Sequence, residues 1–268
     1  MSGRVTKLLV DGHVHFYPGY DWCVAVRALV NNLGQYAGGD AVLMGFLAEG
    51  VGCGFFREVR ANPGRFCAEG LAIEPSADPG ALVVKVGGMP TAYLIAGRQV
   101  VTAERLEVLA IGTDGDIPDS EPVRRTLERV REAGGVAVLS WSPGKWFFGR
   151  GRIVRQLLEE APAGSFLLGD TALRPMYWPF PSLMALGRRR GFKVLGGSDP
   201  LPLPQEERRI GTYGVCVRTA FDEAAPAESV RRMLTYGNVF YTPIGERMCP
   251  LVFIRKWVAN QRGRKARV

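Results

Sequence analysis

With 268 residues, 47% of them hydrophobic and 22% charged, the chain is long enough to bury the core of one large α/β domain. It has no run approaching the ~18 apolar residues of a membrane-spanning helix. Its five scattered cysteines (Cys23, Cys53, Cys67, Cys216, Cys249) include no Cys-x-x-Cys pair, which argues against a zinc ribbon or a thioredoxin-type site and for reduced, mostly buried thiols. The net charge is +8, and six positive charges (Arg255, Lys256, Arg262, Arg264, Lys265 and Arg267) fall in the last fourteen residues with no acid among them, leaving the body close to neutral.

In chain order, the apolar run Leu8–Val10 reads as a first strand. It leads directly into His13 and His15, the only histidines of the chain. Asp21 to Leu33 has helical spacing, with Trp22, Val26, Leu29, Val30 and Leu33 recurring on one side. Ala41–Leu47, Cys67–Ile73, Leu82–Val86, Thr91–Ala96 and Leu106–Ile111 read as strands, and the stretch from about 81 to 112 as short neighbouring strands. Helices are expected at Pro122–Glu132, Ile153–Glu160, Leu183–Arg190 and Pro226–Tyr236. Strands are expected at Val136–Leu139, Phe166–Leu168, Lys193–Leu195, Tyr213–Val217 and Val239–Tyr241. This alternation predicts a single (β/α)7-8 barrel over residues 1–254, with a solvated basic tail at 255–268. The run before Asp11 is too short for a signal-peptide core of roughly 7–15 residues, so a cytoplasmic location is the expectation.

Functional groups in such folds gather where strands end. Side chains two apart in a strand share a face, so His13 and His15 project together and can hold a divalent metal. With no other histidine in the chain, further ligands must be something other than histidine. Val136–Leu139 exits into Ser140, Ser142 and Lys145; Phe166–Leu168 exits into Asp170 and Arg174; Lys193–Leu195 exits into Ser198 and Asp199. A barrel would gather these exits at one mouth. Two His and one or two Asp there suit zinc, manganese or iron. The run Trp141, Trp146, Phe147, Phe148 is expected to pack over the mouth or the core. No P-loop and no Gly-x-Ser-x-Gly occurs, which argues against a nucleotide-phosphate cradle and a serine-hydrolase triad.

The string Val10-Asp-Gly-His13-Val-His15 resembles the first motif of the PHP (polymerase and histidinol phosphatase) family and is close to the strand-1 motif of amidohydrolases. The PHP resemblance continues through Gly97-Arg98-Gln99, Glu107-Val-Leu-Ala-Ile-Gly112, Gly134 to Pro143, and Gly197-Ser198-Asp199, over roughly residues 8 to 200. It implies a distorted TIM-like barrel and a metal-dependent hydrolase. The departures are equally specific: Gln99 stands in place of a metal-bridging Glu, Glu107 and Ser142 at two histidine positions, and Leu201 at the last. His13, His15 and Asp199 match as ligands. The expectation is therefore a mononuclear site cleaving a phosphoester or amide. Glu107 or Asp170 would serve as fourth ligand or general base, and Lys145 and Arg174 would neutralise an anionic substrate. The alternative is a catalytically inactive barrel, without metal, that binds RNA through its basic tail or binds a partner protein.

Overall fold

The computed structural model describes residues 4–236 and 239–265. The chain begins with β1 (Arg4–Val14), α1 (Trp22–Gly34) and β2 (Ala41–Leu47), continues through a short helix α2 (Phe55–Ala61) and reaches β3 (Cys67–Ala68). Then come β4 (Leu71–Pro75), β5 (Ala81–Val86), β6 (Met89–Ile95), β7 (Gly97–Val101) and β8 (Glu107–Ile111). The second half runs α3 (Val123–Glu132), β9 (Val136–Ser140), α4 (Phe148–Glu160), β10 (Leu167–Thr171), α5 (Ser182–Arg189) and β11 (Val194–Gly197). It closes with β12 (Tyr213–Phe221), α6 (Pro226–Thr235), β13 (Thr242–Gly245) and α7 (Pro250–Lys265). Asp21 starts α1 by accepting from the backbone N–H groups of Cys23 and Val24 at 2.8 and 3.3 Å.

The closed barrel expected from the alternation is not what the ladders form. The strands make two sheets, in the orders β13-β12-β1-β2-β6-β5-β4-β3 and β11-β10-β9-β8-β7. β1, β2 and β6 are parallel, as are β9, β10 and β11. The β4–β6 meander, the β12 and β13 additions and the β7–β8–β9 run are antiparallel. An antiparallel meander extends a sheet outward from β6 and so removes the strict β/α repetition that a TIM barrel needs.

The two sheets instead meet along two seams, where the exits of β1 and β2 meet the edge strands β11 and β7 of the five-stranded sheet. At the first, β1 meets β11: the Asp199 N–H donates to the His13 carbonyl at 2.9 Å. A Cβ on Gly197 would lie 2.4 Å from the His13 backbone nitrogen, so only glycine admits this approach. At the second, the Glu49 N–H donates to Gly97 O at 3.1 Å and the Gln99 N–H to Glu49 O at 3.0 Å. A Cβ on Gly97 would sit 2.1 Å from Leu47 O.

Strand alternation divides the core in three. Leu8, Val10, Met44, Phe46, Leu109 and Leu167 face the interior between the sheets. Leu9, Leu43 and Leu47 pack outward on Val26, Leu29 and Leu33 of α1. Val108, Leu139 and Leu168 pack outward with Val130, Val154, Leu158 and Met184 of α3, α4 and α5. Each fully buried leucine contributes about 1.5–3 kcal/mol.

Smaller expectations are corrected as well. The last strand is not Val239–Tyr241 but β13: the Tyr241 hydroxyl reaches the Met233 carbonyl of α6 at 3.3 Å, and the ladder to β12 begins at Thr242. The five cysteines are free, but none is fully buried, and Cys67 and Cys249 are exposed. Trp141 and Trp146 are core residues, whereas Phe148 is exposed. The basic end is the helix α7 as far as Lys265; Arg267 lies outside the described residues. Among the described residues, no helix is long and apolar enough to cross a membrane.

Candidate metal centre

β1 carries His13 and leads directly into His15 at the first seam, where its register against β2 shifts between Asp11 and Val14. Asp11 braces this bend. Its Oδ1 accepts from the N–H groups of His13 (3.1 Å) and Ser198 (2.8 Å), and its Oδ2 from Gly211 N–H (2.7 Å). One carboxylate thus ties together the exit of β1, the exit of β11 and the loop before β12. Burial pushes the Asp11 carboxyl up to about 6 even though Ser198, Gly211 and His13 hydrogen-bond it.

From that brace, the His13 and His15 Nε2 atoms approach each other to 3.1 Å. Asp199 Oδ1 lies 3.6 Å from the first and 3.5 Å from the second. All three residues are buried, and their ligand atoms lie within 4.8 Å of one another. Asp199 reaches this position with φ +48°, a left-handed conformation that Asp tolerates better than most residues. Its Oδ2 accepts from the Thr171 hydroxyl at 3.1 Å. Gln99 Oε1 adds a further oxygen 3.0 Å from His13 Nε2.

These separations pass a simple test. Donors bound tetrahedrally at about 2.0–2.1 Å from one metal lie roughly 3.3 Å apart, and the three pairs here lie 3.1 to 3.6 Å apart. Burial lowers the His13 pKa, which favours the neutral imidazole, the form that ligates. Burial opposes ionisation of Asp199, but the facing His13 and His15, with Thr171, bring its pKa down to about 2. Two imidazoles and a carboxylate suit one divalent ion.

A cavity of about 280 Å³ opens beside these donors. His15, Gln99, Glu107, Ser142, Lys145 and Asp199 line one side of it. Glu107 is here because β8 runs antiparallel to β9, so its first residue lies level with Ser140 at the last position of β9. Glu107 Oε2 accepts from the Ser142 hydroxyl at 2.9 Å, and Oε1 accepts from the Lys145 ammonium. The opposite side of the cavity comes from α7.

The structure therefore brings together His13, His15, Asp199, Glu107 and Lys145, and leaves Asp170 and Arg174 outside the lining. Along β10, Leu167 faces the interior and Leu168 the outer layer. Asp170 has the parity of Leu168 and points away, whereas Thr171 has the parity of Leu167 and meets Asp199. Arg174 grips Asp170 with two bonds, Nε to Oδ1 at 2.8 Å and Nη2 to Oδ2 at 2.6 Å, and the Tyr213 hydroxyl donates to Oδ2 at 2.8 Å. Thr171, Ser142 and the α7 side chains were not assigned roles at the site from sequence. The parity of β10 is the signal that finds Thr171.

None of the known protein-family models matches the chain, and no curated protein matches it. Solved structures do. PsfC from Pseudomonas syringae superposes with a TM-score of 0.58 at 13% identity, over 96% of this chain and 98% of that one. A two-domain protein from Bacteroides vulgatus, described as containing a predicted PHP-like metal-dependent phosphoesterase, superposes with a TM-score of 0.52 at 14% identity. That match covers 92% of this chain and 67% of the other. The chain has a PHP-like fold. At these identities the likeness concerns the backbone; the ligand set follows from the side chains of this chain.

Proposed function

We propose that the protein is a metal-dependent hydrolase that holds one divalent cation through His13, His15 and Asp199 and cleaves a phosphoester. The observation that carries this reading is the convergence of those three buried donors, two of which, His15 and Asp199, line the same cavity as Lys145. Zinc, manganese and iron all suit the donor set. When bound there, the cation would polarise a phosphoryl oxygen and make water more acidic.

The rest of the work falls to the chain's own groups. Lys145 places an ammonium beside the donors, where it can hold a phosphoryl oxygen and offset charge that develops during cleavage. Glu107, bonded by Ser142 and Lys145, is placed to accept the proton of an attacking water. The pattern of replacements has a single physical sense: Gln99 is a neutral amide where the PHP resemblance has a bridging carboxylate, and Glu107 and Ser142 stand in for two histidines. These changes remove ligands for additional cations, and Lys145 supplies positive charge in their place. The Asp170–Arg174 pair is assigned a bracing role. Arg174 is bound to Asp170 and does not line the cavity, whereas Lys145 does, so anion binding falls to Lys145. A phosphoester is preferred to an amide because an anionic substrate complements the cation and Lys145 together, and because the Bacteroides vulgatus neighbour is described as a phosphoesterase.

A second reading, a metal-free barrel that binds RNA, draws on the same lost ligands and on exposed Arg255 and Arg262 of α7. Hydrolysis of p-nitrophenyl phosphate and bis(p-nitrophenyl) phosphate separates the two. The hydrolase reading expects turnover that a chelator stops and added Mn²⁺ or Zn²⁺ restores. Lys145→Met is expected to lower kcat by roughly 10²–10³-fold with metal content unchanged. No turnover by protein carrying its metal, or turnover indifferent to chelator, would reject it. Salt-sensitive RNA binding without metal would support the second reading.

A further inference from the structure

α7 contributes Phe253, Trp257, Asn260 and Gln261 to the cavity that contains the metal donors. Phe253, Trp257 and Asn260 are spaced i, i+4, i+7, one face of a helix. That face is held in place from the side. The Lys256 ammonium bonds to Glu206, a carboxylate only 1% exposed that also accepts from the Leu201 N–H at 3.2 Å. Leu201 itself lines the cavity. The helix is therefore tied to the exit loop of β11, the same loop that presents Asp199.

Asn260 is 8% exposed and lines the cavity, where its carboxamide has both a donor and an acceptor to offer. Beside it Trp257, half-exposed, offers a ring face. Tyr17, stacked on His15 with ring centroids 4.9 Å apart, adds an aromatic wall on the side of the metal donors. Lys145 supplies the anion-binding group. Arg255 and Arg262 are exposed and do not line the cavity.

We infer that the inner face of α7 is a recognition wall for a small phosphate ester of nucleotide size, carrying a planar, hydrogen-bonding ring. The ring stacks on Trp257, its polar edge pairs with the Asn260 carboxamide, and the phosphate lies toward Lys145 and the metal donors. A polynucleotide needs an open groove along which its backbone runs. Here a docked helix walls one side of a cavity of about 280 Å³. The inference rests on the proposed function for the fate of the phosphate, but binding can be measured without hydrolysis.

The test is calorimetric titration of the full chain with adenosine 5′-monophosphate and, as a control without the ring, ribose 5-phosphate. The nucleotide is expected to bind roughly tenfold or more tightly than the sugar phosphate, the advantage that stacking of one base supplies. Trp257→Ala and Asn260→Ala should each shrink that gap while leaving ribose 5-phosphate affinity, metal content and Tm unchanged. Equal affinity for the two ligands, or a gap that survives both substitutions, would overturn the inference. So would a single-stranded oligonucleotide binding more tightly than the mononucleotide. If the chain binds no metal and hydrolyses no ester yet shows the gap, the proposed function fails and the recognition wall stands. If it hydrolyses p-nitrophenyl phosphate without the gap, the reverse holds.

Discussion

The exits of β10 and β11 each present an aspartate, and the two have opposite fates. Asp170 is closed off: Arg174 grips both its oxygens, Tyr213 adds a third bond, and it does not line the cavity beside the metal donors. Asp199 is equally buried in a residue sense but faces two imidazoles and the cavity, with only Thr171 donating to its Oδ2. Local sequence barely separates them, since Asp170 follows an apolar strand and Gly169, and Asp199 an apolar strand and Gly196-Gly197-Ser198. What separates them is strand parity at β10 and a left-handed turn at β11. A carboxylate saturated by a guanidinium stabilises its surroundings; a carboxylate facing two imidazoles and a cavity is available to a cation.

The comparison can be broken at either aspartate. Asp170→Ala leaves the Arg174 charge buried and uncompensated, and should cost about 3–5 kcal/mol of stability by denaturant unfolding, with metal binding retained by the folded protein. A milder loss together with loss of metal would mean that Asp170 belongs to the site after all. Around Asp199 the smaller effect is expected from Thr171→Val, which removes the hydroxyl that orients the carboxylate. Metal affinity should fall about 10–100-fold with little change in unfolding midpoint. Unchanged affinity in a competition titration would remove Thr171 from the account.

The comparison also shows what could be read from sequence. His13 and His15 were legible because period-two spacing at the end of an apolar run has few other readings, and Asp199 because it follows Gly197-Ser198 at another strand end. Glu107 was legible only through its place in the PHP resemblance. Its arrival at the mouth depends on β8 running antiparallel, which local sequence does not encode. Asp170 was selected over Thr171 because the strand was read as ending at Leu168, whereas β10 runs to Thr171, where parity decides which side chain faces inward. The open, two-sheet architecture was hidden for the same reason: β-runs look alike whether their partners are parallel or antiparallel. In α7 the charges of Arg255, Lys256 and Arg262 obscured the inward spacing of Phe253, Trp257 and Asn260.

The most direct measurement is the metal-to-protein ratio after loading and desalting, determined by elemental analysis for the wild type, His15→Ala and Asp170→Asn. The account predicts about one divalent ion per chain in the wild type, none retained by His15→Ala, and about one in whatever fraction of Asp170→Asn is folded. A wild type that retains no ion, or a His15→Ala protein that retains as much as the wild type, would contradict it.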